Sequence, residues 1–235
     1  DVMVFHNRCS VGMEAASNIG IKNSESKYIV ILDDDDTWHS DFLDKTVKFL
    51  GDEANSLYKG VVTRTSIIEE EIEDNNIVFK RNYPFDRTLE NVTIFRLARC
   101  KTFANLSFLY HRNVIDKIGL YREDYPVIGD LDFSLRFVQH YNIAVIPEYL
   151  ANYHIRKNNS KSDYANSVAN KIREKKYLSL LRDELLRKDL NENRVGLGFL
   201  VNMGNEINHL EQSINHGSSV WIIRKIWRKL RKRLR

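Results

Sequence analysis

YIVILDDDDTW, residues 28–38, sets five mostly apolar, β-prone residues directly against four consecutive aspartates. Like charges on adjacent residues repel, and such a run is kept where a cation or a phosphate-bearing ligand meets it. In open α/β sheets ligands collect at the carboxyl ends of strands, and Asp33 to Asp36 follow the end of one. Alternate aspartates such as Asp33 and Asp35 can present oxygens to a hard divalent ion, which would in turn hold a diphosphate. The plainer reading is an acidic turn that caps the next helix, with Asp36 or Ser40 near its positive end.

Two other motifs touch the same residues. An EF-hand loop would use Asp33, Asp35 and Thr37, but Trp38 stands where the loop needs Gly and Asp44 where it wants Glu, which excludes it. Asp33, Asp35 and Thr37 also spell the DxDxT of aspartyl-phosphate phosphatases of the haloacid dehalogenase type. That chemistry would draw a hydroxyl from Thr63, Thr65 or Ser66, a lysine such as Lys101, and the pair Asp130 and Asp132. A catalytically inactive surface-binding module is the non-enzymatic alternative.

The flanking pattern is α/β. VMVF (2–5) reads as a strand, 13–21 as a helix, 28–32 as a buried strand, and 40–50 as a helix with Ser40 as N-cap. Residues 60–70, 77–80 and 107–111 read as strands, followed by a short helix ending at Gly119. Apolar residues then recur at helical spacing over 130–141, and IAVIP and YLANYHI close the series as strands. After KNNSKSD the pattern turns to long charged helices near 163–188 and 194–212. This divides the chain into a catalytic domain at 1–160, a helical extension at 161–217, and a basic amphipathic helix at 218–235.

Composition narrows the function classes. With 43% hydrophobic residues in 235, the chain can bury one sizeable core. Cys9 and Cys100 lie far apart without metal-ligand spacing, so reduced thiols and a cytosolic compartment are expected. No apolar run is long enough for a membrane span. The net charge of +4 is uneven: residues 218–235 hold eight Lys and Arg and no acid, leaving 28 bases against 32 acids elsewhere. A nucleic-acid surface is therefore not expected on the body of the protein. In the tail, Ile223, Ile226, Trp227, Leu230 and Leu234 recur at helical spacing among the basic residues. A helix there would lie on an anionic membrane surface, placing the protein at the cytoplasmic face.

Over a longer span, SNIGIKNSESKYIVILDDDDTW resembles the segment of family 2 glycosyltransferases, of the GT-A fold, in which a helix with an Asn-x-Gly end leads into a strand and the DxD signature. FANLSFLYHRNVIDKIGLYREDYPVIGDLDFSLRF resembles the acceptor-side segment of the same family, and YLANYHIRKNNS its closing strand. The resemblance implies a GT-A-like, Rossmann-like and mostly parallel sheet, followed by a helical region. It also implies an inverting enzyme that moves a sugar from a nucleotide-sugar donor to a saccharide or lipid-linked acceptor with Mn2+ or Mg2+.

Residue by residue, it makes Asp33 and Asp35 the DxD pair, with Asp35 the direct metal ligand, Asp33 nearer the ribose and Asp36 in support. Asn18 matches a donor-contacting Asn, and Ser17 stands where an Arg is common. His154 falls where some relatives place a metal-binding His. Asp130 matches the catalytic base, preceded by Gly129 where the family usually has Glu. Asp132, one turn-fraction on, reads as a solvated acid favoured by the helix dipole. In the family a strand, a helix and a second strand precede the segment matching 2–5. A fragment with an unpaired strand edge beside residues 28–33 is therefore expected.

Overall fold

The computed structural model describes residues 2–74, 76–157 and 171–217. Helix α1 (Met13–Lys22) turns its buried face inward through Glu14, Asn18 and Ile21, spaced one and two turns apart. Then come β1 (Tyr28–Ile29), β2 (Thr37–Trp38) and α2 (Phe42–Gly51). Ser40 does not cap α2: the helix starts at Phe42, whose N–H donates to the His39 carbonyl at 3.0 Å. Its ring stacks on Trp38 with centroids 4.6 Å apart, so an aromatic contact, not a hydroxyl, anchors this helix to the strand before it.

The long hairpin β3 (Tyr58–Glu73) and β4 (Asn76–Pro84) leads to α3 (Ile94–Arg99), capped by Thr93, whose hydroxyl accepts the Arg96 N–H at 3.2 Å. Strand β5 (Phe108–His111) and α4 (Ile115–Ile118) follow, and Gly119 ends α4 at φ 75°, a left-handed position that Gly fills without strain. Helix α5 (Gly129–Val138) and strand β6 (Asn142–Lys157) complete the catalytic region. Helices α6 (Lys171–Asn191) and α7 (Leu197–Gly217) form an α-hairpin. Asp189 fixes its turn by accepting the N–H groups of Gly196 and Phe199 at 3.0 and 2.8 Å.

The sheet runs β1-β5-β3-β6-β2, with β4 alongside β3. It is mixed. Strands β3 and β6 pair in parallel over their length, and every other pair is antiparallel. Its core is aromatic: Phe108, Tyr110, Phe133 and Phe137 are almost fully buried, with neighbouring centroids 5.1 Å apart. Gly60 of β3 makes that possible, because a Cβ there would lie 2.5 Å from the Phe108 ring.

Two sequence expectations change at the first edge of the sheet. Residues 2–5 lie outside every ladder and are exposed, Val2 at 90%. The apolar run 28–32 pairs only at Tyr28 and Ile29, and Leu32 is 42% exposed. The cause is one-sided support: β1 ends the sheet, bonded to β5 alone. Along its outer side runs an open trough of about 1060 Å³ between α1, residues 7–12 and residues 28–34. The unpaired edge expected beside 28–33 is there among the described residues.

Among the described residues no helix is long and apolar enough to cross a membrane. The basic helix expected at 218–235, and the start of the extension expected at 161, lie outside the described residues.

Candidate active site

The turn at 33–36 forms because the Asp36 N–H donates to the Asp33 carbonyl at 3.2 Å, which throws the four side chains to different environments. Asp33 and Asp34 are exposed, Asp35 is half-buried and Asp36 is 6% exposed. One Asp36 oxygen accepts the backbone N–H of His154 at 2.8 Å, and the other is buried with no partner among the described residues. Burial pushes the Asp36 carboxyl up to about 7, with Asp35 and Asp33 adding to it. Burial also raises Asp33, followed by the charges of Asp35 and Asp130. Carboxyls that resist ionisation together, one with an orphaned oxygen, mark a place where a cation is missing from the charge balance.

Those residues fit a divalent ion. Among the described residues no three His, Cys, Asp or Glu side chains converge into a complete cage. An ion shared with a diphosphate does not need one, since Mg2+-like ions take one or two carboxylates and fill the other positions with phosphate oxygens and water. Asp33 and Asp35 offer that number.

The Asp36 shift has a consequence that stability measurements can read. Its folded value lies above the ordinary 3.8. The native state therefore holds more proton than the unfolded chain between about pH 4 and 7, and stability falls as pH rises through that window. Asp36→Asn keeps the bond from His154 and removes the titration. The variant is expected to gain on the parent by roughly 1 kcal/mol per pH unit across the window, with no gain below pH 4. Urea unfolding at pH 4 and pH 7.5 measures this, and parallel pH profiles would contradict it.

Opposite the turn, α5 brings up Asp130. Asp33, Asp36, Lys101, Asp130, Tyr153 and Glu174 all line one cavity of about 280 Å³. Asp130 stands in the first turn of α5, 22% exposed, with the Lys101 ammonium bonded to its Oδ2. Burial works against the Lys101 charge, but Asp130 outweighs it and holds the amine above its usual value. Asp132 differs from its expectation: it is buried, not solvated, and pairs with Arg136 at 2.7 Å. Arg136 also donates to the carbonyls of Ile118 and Leu120, so this pair ties α5 to the end of α4.

Glycine at 129 has a spatial explanation. A Cβ there would lie 2.3 Å from Cγ of Glu14, whose carboxylate accepts the Gly129 N–H at 3.2 Å. Glu14, 7% exposed and lining the same cavity, therefore fills the space that a Glu at 129 would need. Asn18 departs from the donor contact expected of it. It is 2% exposed, lines neither cavity, and its amide joins α1 to the Tyr121 N–H and carbonyl and to Glu123, at 2.9–3.1 Å. His154 lies behind the turn. Its Nδ1 meets Glu70 at 2.9 Å and its Nε2 the Thr37 hydroxyl at 3.1 Å, and Arg156 holds the other oxygen of Glu70 at 3.1 Å.

Comparison with known proteins agrees with this geometry. The family model described as glycosyl transferase family 2 matches residues 1–119. The chain belongs to that family. The fold resembles the crystal structure of S. aureus TarS 1–349, with a TM-score of 0.53 and 14% identity, over 88% of this chain and 53% of that one. The same TarS segment in complex with UDP-GlcNAc gives 0.49 and 15%, over 75% and 47%. The chain thus spans about half the length of these structures, and the likeness is one of fold. The comparison with curated proteins returned no match.

In this family 2 chain the matched segment carries the acidic turn and Lys101, whereas Asp130 and Glu174 come from beyond residue 119. The phosphatase reading does not survive. Thr63 and Thr65 are buried in β3 and do not line the cavity, and Asp132 faces Arg136 rather than the turn. Three cavity residues went unassigned to glycosyl transfer in the sequence: Glu14, Lys101 and Glu174. None has a local motif, and only folding brings them to Asp130.

Proposed function

We propose that this chain is an inverting glycosyltransferase that moves a sugar from a nucleotide-sugar donor to a hydroxyl of a saccharide or lipid-linked acceptor. One observation carries the reading: the acidic turn at 33–36 and Asp130 form opposite walls of one cavity, whose volume suits a single sugar. Asp35 and Asp33 would hold Mn2+ or Mg2+ with the donor diphosphate, and Asp33 would lie nearer the ribose. Such an ion supplies neutralisation of the charge that grows on the leaving diphosphate.

The side chains of this protein do the rest. Lys101 engages Oδ2 of Asp130 and keeps the carboxylate ionised at the cavity wall, where it accepts the proton of the acceptor hydroxyl. The acceptor oxygen bonds the anomeric carbon as the bond to the diphosphate oxygen breaks. One base acting from across the cavity suits a single displacement with inversion. His154, engaged by Glu70 and Thr37, holds the backbone that orients Asp36, and it remains a candidate ligand once an ion competes for Nε2. Residues 218–235 would keep the enzyme peripheral on an anionic, cytoplasmic membrane face, where a lipid-linked acceptor is found.

Thermal unfolding with a panel of nucleotide sugars, with and without Mn2+, tests the assignment. At least one donor is expected to raise the midpoint only when Mn2+ is present, and Asp35→Asn is expected to lose that effect while keeping the midpoint of the free protein. An Mn2+-dependent shift of equal size in the variant would remove Asp35 from the site.

A further inference from the structure

Asp130 stands between two cavities. Besides the one it shares with the acidic turn, a second of about 210 Å³ opens between α3, α5, α6 and α7. Lys101, Val127, Asp130 and Glu174 line both, so the two communicate at the carboxylate itself. The second has apolar walls, chiefly Leu97, Leu131, Leu178, Leu181 and Val201, with Asn205 and Asn208 among its polar lining residues. Arg99 lines it too, and Arg99 also borders an open groove of about 390 Å³ along α7. That groove is walled by Ile207, Leu210 and Ile214, which are 38%, 63% and 70% exposed. An apolar path therefore runs from Asp130, past Arg99, to the surface of α7.

We propose that this second cavity is the acceptor subsite and that it takes an amphiphile: a hydroxylated head at Asp130 and an alkyl chain between the leucines, leaving past Arg99 onto α7. The assignment rests on the glycosyl-transfer reading, in which the donor sugar fills the first cavity and the hydroxyl must arrive from the other side of the base. The head-group oxygen forms the new bond to the anomeric carbon, its proton passes to Asp130, and the nucleoside diphosphate leaves with the bonding pair. The walls decide the chemistry of the rest. Sugar hydroxyls pressed against Leu97, Leu178 and Leu181 would lose hydrogen bonds to water without replacement, whereas an alkyl chain gains by leaving water. The volume is below that of most sites for compact small molecules, which suits a slender chain.

Cys100 lines this cavity and Cys9 is exposed far from it, so the protein carries its own probe and its own control. The rate of N-ethylmaleimide addition at each thiol can be read by peptide mass spectrometry. Octyl β-D-glucoside below its micelle concentration is expected to slow Cys100 by the factor 1 + [L]/Kd, roughly tenfold at ten times Kd, and to leave Cys9 unchanged. Methyl β-D-glucoside is expected to have no effect. Leu178→Trp and Asn208→Trp, each checked for a cooperative melt, fill the path and are expected to abolish the protection. Equal effects of the two glycosides, or protection that persists in both folded variants, would overturn the subsite. Donor binding without Cys100 protection overturns the subsite and leaves glycosyl transfer standing. Protection without any Mn2+-dependent donor binding overturns glycosyl transfer and the acceptor role with it.

Discussion

Asp130→Asn is expected to lower sugar transfer by roughly 10²- to 10⁴-fold while leaving the affinity for donor within a factor of about two. The asymmetry follows from geometry. Asp130 lines the cavity from the side opposite the acidic turn, and it would touch the acceptor hydroxyl, not the diphosphate. The amide cannot take the proton, but it keeps the shape of the helix start and still accepts from Lys101. Initial rates and donor titrations on the same preparation measure both quantities. A variant that transfers at the parent rate would remove Asp130 from the mechanism. One that loses donor binding in proportion would move it to the donor side.

Gly129→Glu is expected to destabilise the protein by roughly 3 kcal/mol, from overpacking and a second buried carboxylate beside Glu14. The added Cβ would meet Cγ of Glu14 at 2.3 Å, and the new carboxylate would have to share its place. If Glu14 fills that space, removing it should make room. Glu14→Ala with Gly129→Glu is therefore expected to be more stable than Gly129→Glu alone, with a coupling of about 1 kcal/mol or more. Additive effects in a double-mutant cycle by urea unfolding would show that the two positions do not compete. Recovery of transfer in the double variant would further show that a carboxylate can serve the cavity from either position.

Much of this arrangement is legible in residue order because it depends on short-range rules. The α/β alternation, the helix ending at Gly119 and the hairpin of β3 and β4 follow from periodicity and turn residues. The acidic turn and the start of α5 were readable as motifs, and the fold sets Asp33, Asp36 and Asp130 around one cavity. What was not legible depends on partners distant in sequence. The run 28–32 has the composition of a buried strand, yet a ladder needs a neighbour, and β1 has one only at β5. Asp132 has the position of a solvated first-turn acid, and Arg136 together with burial changes its setting. Asn18 matches a donor-binding position by motif, but its amide closes the contact between α1 and Tyr121. Glu14, Lys101 and Glu174 lie in three unrelated segments, and no spacing rule connects 14 with 129 or 101 with 174.

The mixed sheet has a similar origin. Parallel pairing needs a crossover, and the long connection from β3 to β6 through α3, α4 and α5 supplies one. The antiparallel pairs arise where β4 and β5 return beside β3. Strand identity could be read locally, whereas strand direction depended on which segments met.

A crystal structure of the protein soaked with the nucleotide sugar that stabilises it, together with Mn2+, tests the central claim most directly. The expected result places the metal and diphosphate against Asp33 and Asp35, with the sugar in the cavity bounded by Lys101 and Asp130 and its anomeric carbon facing Asp130. A donor bound elsewhere, with no metal at the acidic turn and the cavity at Asp130 empty, would contradict it.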